Sequence, residues 1–280
     1  MVQISYKEET LYYPQDEMHT FLLPVTSGCT WNRCAFCSMY KNVAYRQIPF
    51  ADIEAELRSG NLYTEKVFLT GADPMSIGFD RMKRLLEMTR RSLPYCHRVG
   101  AYASIKNIAG YSVDELSVLH DAGLRMLYIG FETGRDDVLK LVNKGHTVRE
   151  AVEGAQKLNA AKIPFCTVLM YGIAGAEQSV DNAVATAELV NRFATQKIIT
   201  MSLIIFNNTE LNHMVKRGEF APPSGRERMI EIRTLLENLE PEKPTVFDTT
   251  HPSNIIKIRG TLPWDRRKLI KDVERHAGIS

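Results

Sequence analysis

The sequence predicts an α/β protein built on a parallel sheet, and three observations lead there. Apolar runs rich in β-branched and aromatic residues recur six times, each is followed by a helical pattern, and two of the helices open on capping boxes. Parallel strands need long crossovers, so strand and helix in alternation imply a parallel sheet. Periodicity leaves an open doubly wound sheet and a barrel as alternatives. At 280 residues and 44% hydrophobic content, the chain can bury a substantial core as one large domain.

In chain order, strands are expected at 20–26, 66–70, 98–103, 125–131, 164–171 and 198–205. The first helix starts over 52–57, and Phe79, Met82, Leu85 and Leu86 stripe the second. Ser112-Val-Asp-Glu115 caps the third, which ends at Gly123, and Thr147-Val-Arg-Glu150 caps the fourth. Two more helices are read over 179–193 and 226–239. The segments "APPSG" and "EPEKP" mark loops in the final quarter.

Charge and targeting signals bound the setting. Thirty-five Lys and Arg against thirty-three Asp and Glu leave a net charge of +2, which gives no electrostatic argument for nucleic acid or an anionic membrane. The first twenty residues contain no apolar signal core, and no run of eighteen uncharged apolar residues occurs, so a cytoplasmic location is expected. Five cysteines, an odd number and mostly clustered, do not form an extracellular disulfide framework.

Cys29, Cys34 and Cys37 lie within nine positions in "SGCTWNRCAFC", just after the first strand. In parallel α/β folds the C-terminal edge of the sheet is where ligands bind. The spacing C-x4-C-x2-C lets three thiolates converge on one metal centre. Structural zinc wants a fourth ligand, and none follows at finger or ribbon spacing. Three cysteines suit a cubane cluster with one iron lacking a protein ligand. Cys96 and Cys166 read as buried small hydrophobes.

"GCTWNRCAFC", with aromatic Phe36 before the last cysteine, resembles the cluster loop of the radical S-adenosylmethionine (SAM) enzymes. The commonest spacing there is C-x3-C-x2-C, so this loop carries one extra residue between Cys29 and Cys34. Further segments are similar to the same superfamily. Gly71-Ala72-Asp73-Pro74 stands where the family has a Gly-Gly-Glu-Pro-like turn, whose backbone carbonyls receive the SAM ammonium. Tyr102 and Ser104 stand where polar contacts to ribose or carboxylate are often placed. "GFETG" with a following Lys-Gly resembles a segment shared by oxygen-independent coproporphyrinogen oxidases, tRNA methylthiotransferases and the Elongator catalytic subunit, and it implies a SAM contact for Glu132. "GIAGAE" matches a Gly-x-x-Gly-x-Glu pattern in which Gly172 and Gly175 would let backbone approach adenine.

The resemblance implies a partial (β/α)6 TIM-like barrel over residues 1–205, with 1–18 as an N-terminal extension, and a C-terminal extension over 206–280 closing the open side. It implies a 4Fe-4S cluster and SAM as cofactors, and a one-electron donor such as flavodoxin or ferredoxin. The implied chemistry is reductive cleavage of SAM to a 5′-deoxyadenosyl radical, which abstracts hydrogen from an unidentified substrate. A non-catalytic iron–sulfur electron-transfer or metal-binding protein is the alternative. His251 and Asn254, in a polar loop before a Trp264-led helix, are candidates to face substrate. The basic stretch Arg259, Arg266, Arg267, Lys268 and Lys271 reads as a solvated helix face. No cobalamin-binding domain, auxiliary-cluster extension or RNA-binding barrel is recognisable, so the chain resembles a minimal radical SAM core.

Overall fold

The computed structural model describes residues 11–278. The first ten residues of the expected N-terminal extension therefore lie outside the described residues. An eight-stranded, mostly parallel sheet carries the fold, and the chain divides into two compact units.

The first unit comprises the described part of Met1–Asn32 together with Tyr40–Ile129 and Ala160–Pro164. Its elements are β1 (Phe21–Pro24), β2 (Thr26–Ser27), β3 (Arg46–Gln47), α1 (Phe50–Ser59), β4 (Lys66–Thr70), α2 (Phe79–Ser92), β5 (Arg98–Ala103), α3 (Ile105–Ala109), α4 (Val113–Asp121) and most of β6 (Leu124–Glu132). The ladder β1–β4–β5–β6 is parallel and follows chain order with no reversal, and β2 and β3 pair as a small antiparallel ribbon. In β4 every residue after Lys66 is buried, as expected of a strand covered on both faces. The α2 stripe buries Met82, Leu85 and Leu86. The Ser112–Glu115 capping box forms as read, satisfying donors that α4 would otherwise leave open. Glu17 is wholly buried, accepting from the Tyr128 hydroxyl at 2.7 Å and pairing with Arg98.

The second unit comprises Arg33–Met39, Gly130–Asn159 and the described part of Phe165–Ser280. It holds the last residues of β6, then α5 (Asp136–Leu141), α6 (Val148–Ala160), β7 (Phe165–Tyr171), α7 (Ser179–Val190), β8 (Lys197–Ser202), α8 (Glu210–Lys216), α9 (Gly225–Asn238), β9 (Thr245–Asp248), β10 (Arg259–Leu262) and α10 (Arg266–Ala277). Strands β7, β8 and β9 are parallel, and β10 returns antiparallel to β9. Phe131, Phe165 and Phe193 form its aromatic centre, with ring centroids 5.1–6.2 Å apart. Ala35 anchors Arg33–Met39 through two backbone bonds of 2.8 Å, to Val142 and from Leu211.

Two expectations are corrected here. The sixth strand ends at Ser202, not at 205, and the tail read as loop contributes β9 and β10. Both are four-residue strands with no clear alternation, and β9 forms by pairing with β8 rather than from its own pattern. Among the described residues no helix is long and apolar enough to cross a membrane.

Candidate cofactor site

Cys29, Cys34 and Cys37 are each partly exposed, and none of the five cysteines is in a disulfide. Cys29 belongs to the first unit. Gly28 before it has φ +68°, and a Cβ there would sit 2.7 Å from the Ala44 backbone, so only glycine fits. The Asn32 amide donates to Cys29 Sγ at 3.4 Å, and the Asn32 side chain is fixed on the Tyr40 carbonyl. Cys34 and Cys37 belong to the second unit, with a backbone bond from Cys37 to Cys34. Phe36 between them packs on a cluster containing Ala35, Val138, Val142 and Leu211. Of the remaining cysteines, Cys166 is buried in β7 as expected, whereas Cys96 is only half-buried, its thiol 3.6 Å from the Arg98 carbonyl. It stands ahead of β5, at the N-terminal end of that strand.

The turn after β4 is held by its own side chain. Gly71 has φ +124°, and a Cβ on it would overlap Thr26. Ala72 follows, and Pro74 opens a 3-10 turn. Asp73 is buried and accepts from the Ser104 amide at 3.0 Å and from Asn107 Nδ2 at 2.6 Å. Burial pushes its carboxyl up to about 6 against these bonds. The Asp73 carbonyl is taken by Ser76. Ser104 caps α3 and serves Asp73, so its polar groups are committed within the chain. Tyr102 packs edge-on to Phe68 and Tyr128, and burial raises its hydroxyl pKa.

The end of β6 carries the most constrained carboxylate. Glu132 is buried with φ +66°, a left-handed backbone that a long side chain rarely takes. Its Oε1 meets Lys144 Nζ at 2.5 Å, while Oε2 is buried without a hydrogen-bond partner. Gly130 leaves room for this pair, since a Cβ there would lie 2.8 Å from Lys144 Nζ. Burial opposes the Lys144 charge, but Glu132 and the Cys34 and Cys37 sulfurs hold its pKa above the ordinary value. Lys144 also stands 5.8 Å from the Phe36 ring centroid. Nearby His146 is neutral, its pKa brought down to about 3 by burial and by the Lys144 charge.

The turn after β7 contains Gly172 and Gly175, both at positive φ. A Cβ on Gly172 would lie 2.9 Å from Pro223 Cγ, and one on Gly175 would lie 3.2 Å from the Ala221 carbonyl. The close approach these glycines permit is thus to the chain's own segment before α9. In the tail, Asn254 is buried, with its amide bonded to the Thr200 and Thr249 carbonyls and the Ser202 hydroxyl. That side chain locks the β8 edge, with both of its donor hydrogens spent on the chain. His251 is half-buried against Ser253. Sequence reasoning named Lys144 only as part of the Lys-Gly after GFETG, without a role, and missed Asn107, Asn182 and Glu231. The available signal for Glu231 was a carboxylate within the buried α9 stripe of Met229, Ile232, Leu235 and Leu236.

Against this geometry, the model of the radical SAM superfamily matches residues 23–187, more than half of the chain. The chain belongs to the radical SAM superfamily. It is similar to the heme chaperone HemW of Bacillus subtilis, 24% identical over 181 residues that cover 62% of this chain and 46% of that protein. It is also similar to tRNA uridine(34) acetyltransferase of Methanocaldococcus infernus, 25% identical over 132 residues covering 47% of this chain and 24% of that protein. The chain thus spans less than half the length of these curated relatives. Among solved structures, methylornithine synthase (PylB) superposes with TM-score 0.56 at 12% identity over 93% of this chain and 82% of that one. Archaeal Elp3 from Methanocaldococcus infernus gives 0.56 at 14% identity over 93% and 64%. At such identities the likeness is one of fold, and that fold is the partial barrel of radical SAM enzymes.

The superfamily's cofactors are a 4Fe-4S cluster and SAM, and its enzymes need a reductant and a substrate. The residues present fit such a cluster. A backbone N–H points at Cys29 Sγ and a lysine charge stands by Cys34 and Cys37, contacts that suit sulfurs carrying an anionic cluster. Among the described residues no three His, Cys, Asp or Glu side chains are placed to hold a single metal ion. A cubane asks something different, one thiolate for each of three irons.

Proposed function

We propose that the protein is a radical SAM enzyme that holds its 4Fe-4S cluster through Cys29, Cys34 and Cys37 and takes SAM on the iron left without a protein ligand. Bound there, cluster and SAM supply one-electron cleavage to a 5′-deoxyadenosyl radical that abstracts hydrogen from substrate. The protein's part is to position and shield. The observation carrying this reading is the three-cysteine loop within the residues that match the superfamily.

The chain's own residues then take these roles. Asn32 N–H lies on the Cys29 sulfur and Lys144 stands beside those of Cys34 and Cys37. Asp73 holds the turn after β4 in shape, so that the carbonyls of Gly71 and Ala72 can accept the SAM ammonium. Glu132 offers its second carboxylate oxygen, buried and without a partner, to a hydroxyl or ammonium. Phe36 packs beneath the cluster loop. The residues 1–205 form the catalytic core in this reading and 206–280 its C-terminal support.

Anaerobic reconstitution followed by iron and sulfide analysis, dithionite reduction with SAM, and assay of 5′-deoxyadenosine tests it. Cluster, SAM binding and 5′-deoxyadenosine are all expected. A cluster-loaded protein that neither binds nor cleaves SAM would instead be an iron–sulfur electron carrier.

A further inference from the structure

Helix α9 lies outside the residues that match the superfamily, yet it carries a buried carboxylate bonded to one of the motif turns and linked to a second through Asn182. Glu231 is 2% exposed. Its Oε2 accepts the Gly172 amide at 2.8 Å, and its Oε1 accepts Asn182 Nδ2 at 2.7 Å. Asn182 Oδ1 in turn accepts the Thr133 hydroxyl at 2.6 Å, and Thr133 adjoins Glu132. Gly134 completes the link, its amide donating to Thr186 of α7 at 3.0 Å. Glu132, Asn182 and Glu231 also line one cavity of about 10 Å³, so the three side chains meet a common small space.

A lone buried carboxylate is expensive to keep unless its oxygens are satisfied. Here both oxygens are used, one on the turn after β7 and the other on Asn182 of α7, which carries the contact on to Thr133 after β6. Nothing in the packing of α9 calls for a glutamate at this position, because its neighbours Ile232, Leu235 and Leu236 form an ordinary apolar stripe. The polar contacts are what distinguish it.

We propose that Glu231 is a positioning residue for the SAM site: it sets the Gly172 turn directly and the Thr133 end of β6 through Asn182, so that helix α9 fixes both turns together. This rests on the reading that those turns bind SAM. Burial pushes the Glu231 carboxyl up to about 7, against the bonds from Asn182 and Gly172 and the charge of Arg228, which agrees with a group held for its contacts.

The test uses the full chain with its cluster reconstituted, and reads iron content and SAM affinity separately. Glu231→Ala is expected to keep iron and sulfide while weakening SAM binding roughly tenfold, the scale of one or two lost hydrogen bonds. Glu231→Gln should restore affinity to within about threefold, since its oxygen can still accept the Gly172 amide and, with the Asn182 amide turned over, its nitrogen can donate to Asn182 Oδ1 while Asn182 Nδ2 donates to the Thr133 hydroxyl. Should Glu231→Ala fail to fold, Thr133→Val and Thr133→Ser decide, with loss of affinity in the first and recovery in the second. Wild-type SAM affinity in folded Glu231→Ala, or equal affinities in the two Thr133 variants, would overturn the proposal. Glu132→Ala run alongside separates the two readings. If it weakens SAM binding and Glu231→Ala does not, only the positioning role fails; if neither does, the SAM-site reading fails first.

Discussion

At the scale of single residues, the proposed site assigns three thiols to the cluster and one carboxylate to SAM, and substitutions tell the two apart. Replacing Cys29, Cys34 or Cys37 with Ala should abolish cubane absorption and SAM cleavage together, because one iron loses its protein ligand. Cys96→Ala and Cys166→Ala should retain both, as judged by iron content of folded protein. Glu132→Ala should keep iron and lose about 1.5–3 kcal/mol of SAM affinity, roughly ten- to a hundredfold in a binding titration. Asp73 holds its turn through its side chain, which accepts from Ser104 N and Asn107 Nδ2. Asp73→Asn keeps an oxygen for Ser104 N and Asn107 Nδ2, so it should change little, whereas Asp73→Ala should destabilise by about 1–3 kcal/mol in denaturant unfolding.

At the scale of elements, the "GFETG" segment shows why a motif needs its glycines. Gly130 makes space for the Glu132–Lys144 pair, and Gly134 lies against the α7 backbone, where a Cβ would sit 2.7 Å from Thr186 N and closer still to Ala185. Gly134→Ala must displace the β6 end or α7 and should cost about 1–3 kcal/mol. Gly218, at φ +74° with open space around it, is the control. There alanine meets only backbone strain, on the order of 1 kcal/mol, and comparison of the two unfolding midpoints isolates the clash. Helix starts were legible because capping is local: Ser112 with Glu115, and Thr147 with Glu150, bond within their own turn. Strands β9 and β10 were not legible, because each depends on a partner far along the chain.

At the scale of the whole molecule, buried ionisable groups give stability a pH dependence of mixed sign. Glu231 and Asp73 have folded pKa values raised to about 7 and about 6, so the native state binds more protons than the unfolded one across those ranges. Stability from these groups falls as pH rises toward neutrality and is level above it. His146, lowered to about 3, acts the other way, its contribution lost as pH falls through 6.5 toward 3. Glu231→Gln removes one of the three. The stability of the wild type minus that of Glu231→Gln should therefore decline between about pH 4.5 and 7, measured by urea unfolding at several pH values. Arg228 and Glu227 on α9 and the Tyr171 hydroxyl on β7 are the charged or titratable groups around it, and all three are unchanged in both proteins. A difference that is flat with pH would mean that Glu231 does not titrate in this window.

The sequence by itself determined the α/β alternation, the cysteine loop and the motif turns, because strand period, capping and thiol spacing are properties of neighbouring residues. It placed Glu132 correctly at the end of an apolar strand, and it singled out Gly172 and Gly175 without the reason they are glycines. Only the tertiary structure decided what those residues touch. Lys144 against Glu132, Asn107 against Asp73, and Glu231 against Gly172 and Asn182 are polar contacts between residues 12 to 59 positions apart. Such pairings leave no period in the chain, since a carboxylate that will be buried looks the same in sequence as one that will face water. It is the cost of leaving a buried oxygen unpaired that selects its partner, and that cost exists only once the core has closed around it.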